Sequence, residues 1–106
     1  KLGLIDNWLR HVQDVVQKHR DLLGKQKSRE ERIALLCELN VIEQVVNVAQ
    51  TTVVQDAWAR GQALAVHGWV YGIQDGLIRD LGMGLSRTED VQERYASALR
   101  VAAKQA

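Results

Sequence analysis

The feature that most constrains this fold is one long apolar segment near the middle of the chain. Between residues 33 and 48, apolar side chains fall on more than one face of any helix that the segment could form. These residues are Ile33, Leu35, Leu36, Leu39, Val41, Ile42, Val45, Val46 and Val48. Because several are β-branched, local helix propensity is low and burial has to override it. We predict a helix over 29–49 that packs on two sides and begins with a capping box of Ser28 and Glu31.

Two other helices are expected beside this one. Apolar residues at spacings of three and four predict an amphipathic helix over 3–23, with Gly24 directly after its C-terminus. On the other side, Thr51 can cap a helix over 52–60. Gly61 then stands where a glycine commonly ends a helix. The first three elements of the chain are therefore all predicted to be helical.

The pattern changes from helical to alternating over residues 63–71, which predicts a β-strand. A turn signal at residues 74–76 (QDG) and a returning strand over 77–81 complete a hairpin over 63–81. An isolated two-stranded hairpin is only marginally stable in water. Since both faces of this strand are partly apolar, we expect it to need a larger sheet, which this sequence does not itself supply.

A last helix is predicted over 87–103, where Ser86 and Glu89 have the spacing of a capping box. The segment is therefore expected to be mainly α-helical, with one β-hairpin in its C-terminal part. The 106 residues suffice for one small domain.

Composition excludes several classes of partner. The 14 basic and 13 acidic residues nearly cancel, so we expect neither nucleic acid nor an anionic membrane to bind. No apolar run approaches the roughly 20 residues that span a bilayer, and we expect no signal peptide. The single cysteine, Cys37, excludes an intramolecular disulfide and is typical of a reducing compartment. We therefore expect a cytoplasmic protein.

The sequence predicts no zinc site built from this chain alone. A catalytic zinc needs three protein ligands and an open position, and the candidates here are Cys37, His11, His19 and His67. His11 and His19 are eight positions apart, so on one helix they would lie about 12 Å from each other. The motifs HExxH, CxxC and HxxC are absent from the sequence. We assign no catalytic residue and no metal ligand to this segment.

Structural roles are expected for the residues that could suggest chemistry. Cys37 is expected to be a small buried apolar residue of the long helix. We expect His19 to pack on an apolar face, His11 to be solvated or to cap a helix, and His67 to be structural or to bond across an interface. The three tryptophans are interpreted as core or interface anchors. They are Trp8, Trp58 and Trp69.

Six ordered segments resemble the β-class carbonic anhydrases of bacteria. They are residues 3–9 (GLIDNWL), 18–24 (KHRDLLG), 37–45 (CELNVIEQV), 57–62 (AWARGQ), 67–72 (HGWVYG) and 75–81 (DGLIRDL). The resemblance extends over almost the whole chain, from about residue 3 to about residue 95. It implies an α/β fold with a central, mostly parallel sheet and flanking helices. It also implies a zinc enzyme that interconverts carbon dioxide and bicarbonate, assembled as a homodimer or tetramer.

The resemblance also implies where the zinc would be held. The family's ligands come from a Cys-x-Asp-x-Arg motif and a His-x-x-Cys motif, and neither occurs in this sequence. The chain is therefore similar to the C-terminal half of such an enzyme. The N-terminal half would be its partner and would bind the zinc, and we expect this chain alone to be inactive. The alternative is a non-enzymatic helical dimerisation module that kept the scaffold without the zinc site.

Tyr71 is the one residue singled out for ligand contact. In a subset of the family, a tyrosine in a Gly-Trp-x-Tyr strand helps to bind a regulatory bicarbonate, and residues 68–71 (GWVY) match that strand. A phenol can donate a hydrogen bond to an anion beside a guanidinium. The alternative, a tyrosine at a subunit interface, stays open.

Overall fold

The computed structural model describes residues 4–72 and 75–105, with side chains described from residue 9 to residue 104. Within these residues the order of elements is α1 (Leu4–Lys18), α2 (Arg20–Gly24), α3 (Arg29–Ala49), α4 (Thr52–Ala59), β1 (Trp69–Tyr71), β2 (Ile78–Asp80), a 3₁₀ helix (Thr88–Asp90) and α5 (Val91–Gln105). The described part of the chain is thus mainly helical, with one antiparallel hairpin of two strands.

Helix α3 is the central element, and it packs on several sides, as its sequence predicts. It contacts α1, α2, α4, α5 and β1. Leu39 and Ile42 of α3 are among the most deeply buried side chains of the described residues. They share one core with Ala98 and Ala102 of α5. Burial between helices therefore stabilises a segment whose branched residues favour helix only weakly.

Two helix starts agree with the capping residues predicted from sequence. The Ser28 hydroxyl accepts a hydrogen bond from the backbone N–H of Glu31 at 3.1 Å, and α3 begins directly after it. The Thr51 hydroxyl accepts from the backbone N–H of Val54 at 3.4 Å and caps α4. At the end of α4, Gly61 adopts a φ of 77°, as the predicted C-terminal glycine should.

The helix predicted over 3–23 is two helices, and this part of the prediction is wrong. His19 separates α1 from α2 with a φ of −114° and a ψ of 27°, outside the helical range. Its ring nitrogen Nε2 forms a hydrogen bond of 2.8 Å with the carboxylate of Glu43 in α3, which is 24 positions later in the chain. Gly24 is the last residue of α2 and does not follow the helix end.

The ladder of the hairpin is shorter than the alternating pattern predicts. Among the described residues of the hairpin, only Trp69–Tyr71 pairs with Ile78–Asp80, in the register Trp69↔Asp80, Val70↔Arg79 and Tyr71↔Ile78. Upstream, Val66 forms an isolated bridge with Leu85. The indole N–H of Trp58 donates to the backbone oxygen of Leu64 at 2.8 Å, so a side chain satisfies that carbonyl group.

The turn of the hairpin is described only in part. Ile73 and Gln74 lie outside the described residues, so the predicted turn residue Gln74 is not described. Asp75 accepts a hydrogen bond from the backbone N–H of Leu77 at 3.0 Å through its carboxylate. Gly76 has a φ of 70°, which favours glycine.

Gly68 places β1 directly against α3. A Cβ atom at this position would lie 2.9 Å from a methyl carbon of Val45 and 3.1 Å from one of Val41. No ordinary side chain fits at those distances without movement of its neighbours. The glycine therefore permits the close approach of strand and helix.

The last helix begins differently from the prediction. The expected capping box of Ser86 and Glu89 is not formed, because the 3₁₀ helix begins after Arg87 without a side-chain cap. The Arg87 guanidinium instead donates to the Asp90 carboxylate at 3.1 and 3.4 Å. The helix predicted over 87–103 is thus a 3₁₀ turn followed by α5.

Among the described residues, no single helix is both long and apolar enough to span a bilayer. Helices α3 and α4 reach that length and hydropathy only as a pair bent by 58°.

Candidate functional site

The residues considered as metal ligands lie apart from one another. Cys37 is exposed on α3, so the prediction that it is buried is wrong for this chain. It shares an uncovered face of α3 with Ile33, one turn away, which is also exposed. His11 and His67 are exposed, whereas His19 is packed and bonded to Glu43. In the described part of the chain, no three His, Cys, Asp or Glu side chains converge on a point that could hold a metal ion.

Tyr71 lies on the outward face of the hairpin. Residues 69 and 71 alternate with Val70, so Trp69 and Tyr71 share one face of β1. Both are more than half exposed, at 56% and 60% of their full accessible surface. Trp69 is therefore not a core anchor of this chain. His67 continues the same face, with its ring centroid 6.1 Å from that of Trp69.

The Tyr71 side chain is exposed, but the guanidinium group of Arg79 lies on the opposite face of the hairpin. The Tyr71 hydroxyl lies 3.8 Å from the place where a Cβ of Gly76 would stand. Arg79 pairs with Val70 in the ladder, and its guanidinium donates to the carboxylate of Glu38 at 3.3 Å. A cation beside Tyr71 would therefore have to come from other residues.

The other tryptophans have different surroundings. Trp58 is half-buried, packs against the core and bonds to Leu64, so it is the anchor that was predicted. Trp8 lies in α1, and its side chain is outside the described set.

The structure contains a buried polar cluster around Glu43 that was not predicted from the sequence. Its carboxylate accepts hydrogen bonds from Lys18 Nζ at 3.0 Å, from His19 Nε2 at 2.8 Å and from the hydroxyl of Tyr95. Lys18 also lies over the Tyr95 ring, 5.0 Å from its centroid. The three donors come from the end of α1, from the break before α2 and from α5. One carboxylate of α3 therefore joins three other parts of the molecule.

The protonation of this cluster follows from its bonds. Burial raises the pKa of the Glu43 carboxyl, but the hydrogen bonds from Tyr95, His19 and Lys18 outweigh burial and hold that pKa below its usual range. For Tyr95, burial and then the bond to Glu43 raise the pKa of the phenol. Glu43 is thus ionised at neutral pH. The signal in the sequence was a charged residue between Ile42 and Val45 in a segment that had to be buried on two sides.

Comparisons with known proteins agree with the resemblance seen in the sequence. The family model for carbonic anhydrase matches residues 1–78. A carbonic anhydrase of Emericella nidulans is 38% identical over 95 residues, which are 89% of this chain and 42% of that protein. The solved structure of a Coccomyxa β-carbonic anhydrase in complex with acetazolamide is 31% identical, with a TM-score of 0.78. That alignment covers 96% of this chain and 47% of the other.

The chain thus spans about half the length of the relatives it matches. The match of a family model over most of the sequence, together with a structural likeness over nearly all of it, settles its relationship. This chain belongs to the β-class carbonic anhydrase family.

Proposed function

We propose that this chain is part of a zinc-dependent carbonic anhydrase that interconverts carbon dioxide and bicarbonate. The observation that carries the proposal is family membership over residues 1–78. Within the complete enzyme, the chain supplies scaffold and oligomer interface. It supplies neither a catalytic residue nor a metal ligand.

The donor set of this chain does not fit a zinc ion. Of the four soft or borderline donors, His19 is occupied by Glu43, and Cys37, His11 and His67 are exposed on separate elements. A zinc site needs at least three donors around one point. The zinc is therefore proposed to be held by the N-terminal half of the same enzyme, and this chain by itself is proposed to be inactive.

The outward face of the hairpin supports a role in assembly. Trp69, Tyr71 and Ile78 are exposed on this face, and Tyr71 pairs with Ile78 in the ladder. Contiguous apolar surface of this kind is typical of interaction sites. We propose that the N-terminal half and further copies of the enzyme, in a homodimer or tetramer, cover the exposed apolar residues of this chain. An exposed single cysteine agrees with the proposed cytoplasmic location.

The experiment compares the chain with and without a companion that carries Cys-x-Asp and His-x-x-Cys motifs. Native and denaturing mass measurements give the composition, and metal analysis and carbon dioxide hydration give the function. One zinc per pair, with hydration only in the presence of the companion, is the expected result. Assembly of this chain with itself, without metal or activity under either condition, would instead favour the helical dimerisation module. Tight stoichiometric zinc and turnover in this chain alone would contradict the proposal.

Tyr71 is proposed to contact a regulatory bicarbonate in the complete enzyme. Its exposed hydroxyl on a face shared with Trp69 supports this role. Tyr71→Phe removes only the hydroxyl, and we expect it to weaken inhibition by bicarbonate while hydration at low bicarbonate is retained. Trp69→Phe is the control on the same face, because it changes the apolar surface without removing the phenol. Unchanged bicarbonate inhibition in Tyr71→Phe would show that Tyr71 serves only an interface.

A further inference from the structure

Over residues 9–18, where its side chains are described, helix α1 buries few apolar groups. Among its described side chains, which run from residue 9 to residue 18, only Val15 is buried, at 5% exposure. Leu9 is 46% exposed and Val16 is also exposed. A single buried valine contributes roughly 1.5–3 kcal/mol at most. Over residues 9–18, polar contacts therefore contribute a large part of the attachment of α1.

The break at His19 separates this part of α1 from a helix that is anchored in the core. On the far side of the break, Leu23 of α2 is buried in the core. Gln26 follows, and its amide donates to the backbone oxygen of Leu22 at 3.1 Å. Since the backbone at His19 already departs from helical geometry, rotation there does not require a regular helix to be broken. The geometry of a hinge is thus present between α1 and α2.

Glu43 holds the α1 side of that hinge and the break itself. It binds Lys18 on the α1 side and His19 at the break itself, while Tyr95 fixes the same carboxylate from α5. A groove of about 450 Å³ between α1 and α3 reaches Glu43. From α1 the titratable groups His11, Asp14 and Lys18 line this groove. Solvent protons can therefore reach the cluster without unfolding of the core.

We propose that α1 is a hinged arm and that the ionised carboxylate of Glu43 is the latch that holds it against α3. Loss of the negative charge on Glu43 weakens the acceptor shared by Lys18, His19 and Tyr95, and one of its two oxygens then becomes a donor. The arm then swings about His19, whereas α2, α3 and α5 keep their packing through Leu23, Leu39 and Ala98. The device depends on the cluster in this chain and not on the proposed enzymatic function.

The direction of the pH dependence follows from the bonds to Glu43. Because hydrogen bonding holds its folded-state pKa below the ordinary value of 4.5, the latch is complete above that value. It is lost as the pH falls through the folded-state pKa. Asp14 and His11 face the same groove, so the test has to isolate Glu43 by substitution.

The proposal can be tested by amide hydrogen exchange followed by mass spectrometry. The sample is the full chain, in the assembly in which it is purified. Protection factors are corrected for the intrinsic effect of pH and compared between peptides from α1, α3 and α5. In Glu43→Gln at neutral pH, α1 is expected to lose roughly tenfold or more in protection, the factor for one lost hydrogen bond to a charged group. Peptides of α5 should keep wild-type protection. Acidification should loosen α1 in the wild type and have little further effect in Glu43→Gln.

Glu38→Gln is the matched control. Glu38 and Glu43 are carboxylates of the same helix with side chains that are equally exposed, at 11%, but Glu38 binds only Arg79 of the hairpin. Glu38→Gln should leave protection in α1 and its pH profile unchanged. If Glu43→Gln does not fold, Lys18→Met and the wild-type pH series decide, since each weakens the bond between α1 and Glu43 and should loosen α1 alone. Equal loss of protection in α1, α3 and α5, or unchanged protection in α1, would overturn the proposal.

Discussion

Helix α3 and the β-hairpin are both rich in apolar residues, but α3 contributes to the core of the chain and the hairpin leaves apolar side chains exposed. Leu39 and Ile42 of α3 lie fully inside a core that this chain builds from its own helices. Leu77 and Ile78 of the hairpin remain exposed. Helices can cover one another within a single short chain, whereas a sheet face needs another layer. Leu39 and Ile42 are therefore covered within the chain, whereas the described residues leave the outer side chains of the hairpin uncovered.

The two faces of the hairpin show the same contrast between buried and exposed surface. On the inner face, Gly68 lies against the side chains of Val41 and Val45, so the backbone of the hairpin packs directly on α3. The outer face carries Trp69 and Tyr71, the largest side chains of the strand. This strand therefore has a small residue on its inner face and large residues on its outer face. A hairpin that forms its own core would show the reverse. The hairpin is thus held to α3 by close approach and leaves its largest side chains exposed.

The sharpest test of this contrast compares two leucines. Leu39→Ala should reduce the free energy of unfolding by about 2–5 kcal/mol, because it leaves a cavity in the core. Leu77→Ala should change it by less than about 0.5 kcal/mol, because Leu77 is exposed. Denaturant titration of both variants provides the measurement. Equal losses would mean that the hairpin is as much a part of the core as α3.

A second test addresses the contact between hairpin and helix. Gly68→Ala should cost about 1–3 kcal/mol, because the added methyl group would overlap with Val45 and Val41. Gly24→Ala is the control, since nothing lies within 4 Å of its Cβ position and alanine favours a helix. Thermal unfolding followed by circular dichroism compares the two. A neutral Gly68→Ala would show that β1 can move away from α3 at no cost.

A third test compares the start of α3 with the start of the helix that follows the hairpin. Ser28→Ala should reduce stability by about 1 kcal/mol, because the hydroxyl caps α3. Ser86→Ala should have almost no effect, since Ser86 does not cap the helix that follows the hairpin. Urea midpoints measured side by side distinguish the two serines. A large effect at Ser86 would restore the capping box expected from sequence.

The smallest effect on stability is expected where the effect on assembly is largest. Ile78→Lys should leave the free energy of unfolding of the chain within about 0.5 kcal/mol, because the side chain is exposed. We expect the same change to weaken association with the N-terminal half or with further copies, because it would bury an unpaired charge. Sedimentation velocity measures the association. Unchanged assembly would remove Ile78 from the proposed interface.

Several parts of this protein could be read directly from its sequence. The bounds of α3, its cap at Ser28, the cap of α4 at Thr51 and the left-handed Gly61 all agree with prediction. Each depends on residues within about one helical turn of one another. Family membership was visible for a related reason, because it lay in short ordered segments of sequence.

Only the tertiary structure decided the features that join distant residues. His19, at the break, bonds to Glu43, and the same carboxylate bonds to Tyr95, which is 52 positions away. Periodicity over 3–23 predicts one helix, since it contains no information about a bond to α3. The exposure of Cys37 was decided in the same way, because an apolar pattern shows which faces a helix could bury but not which neighbours arrive to cover them.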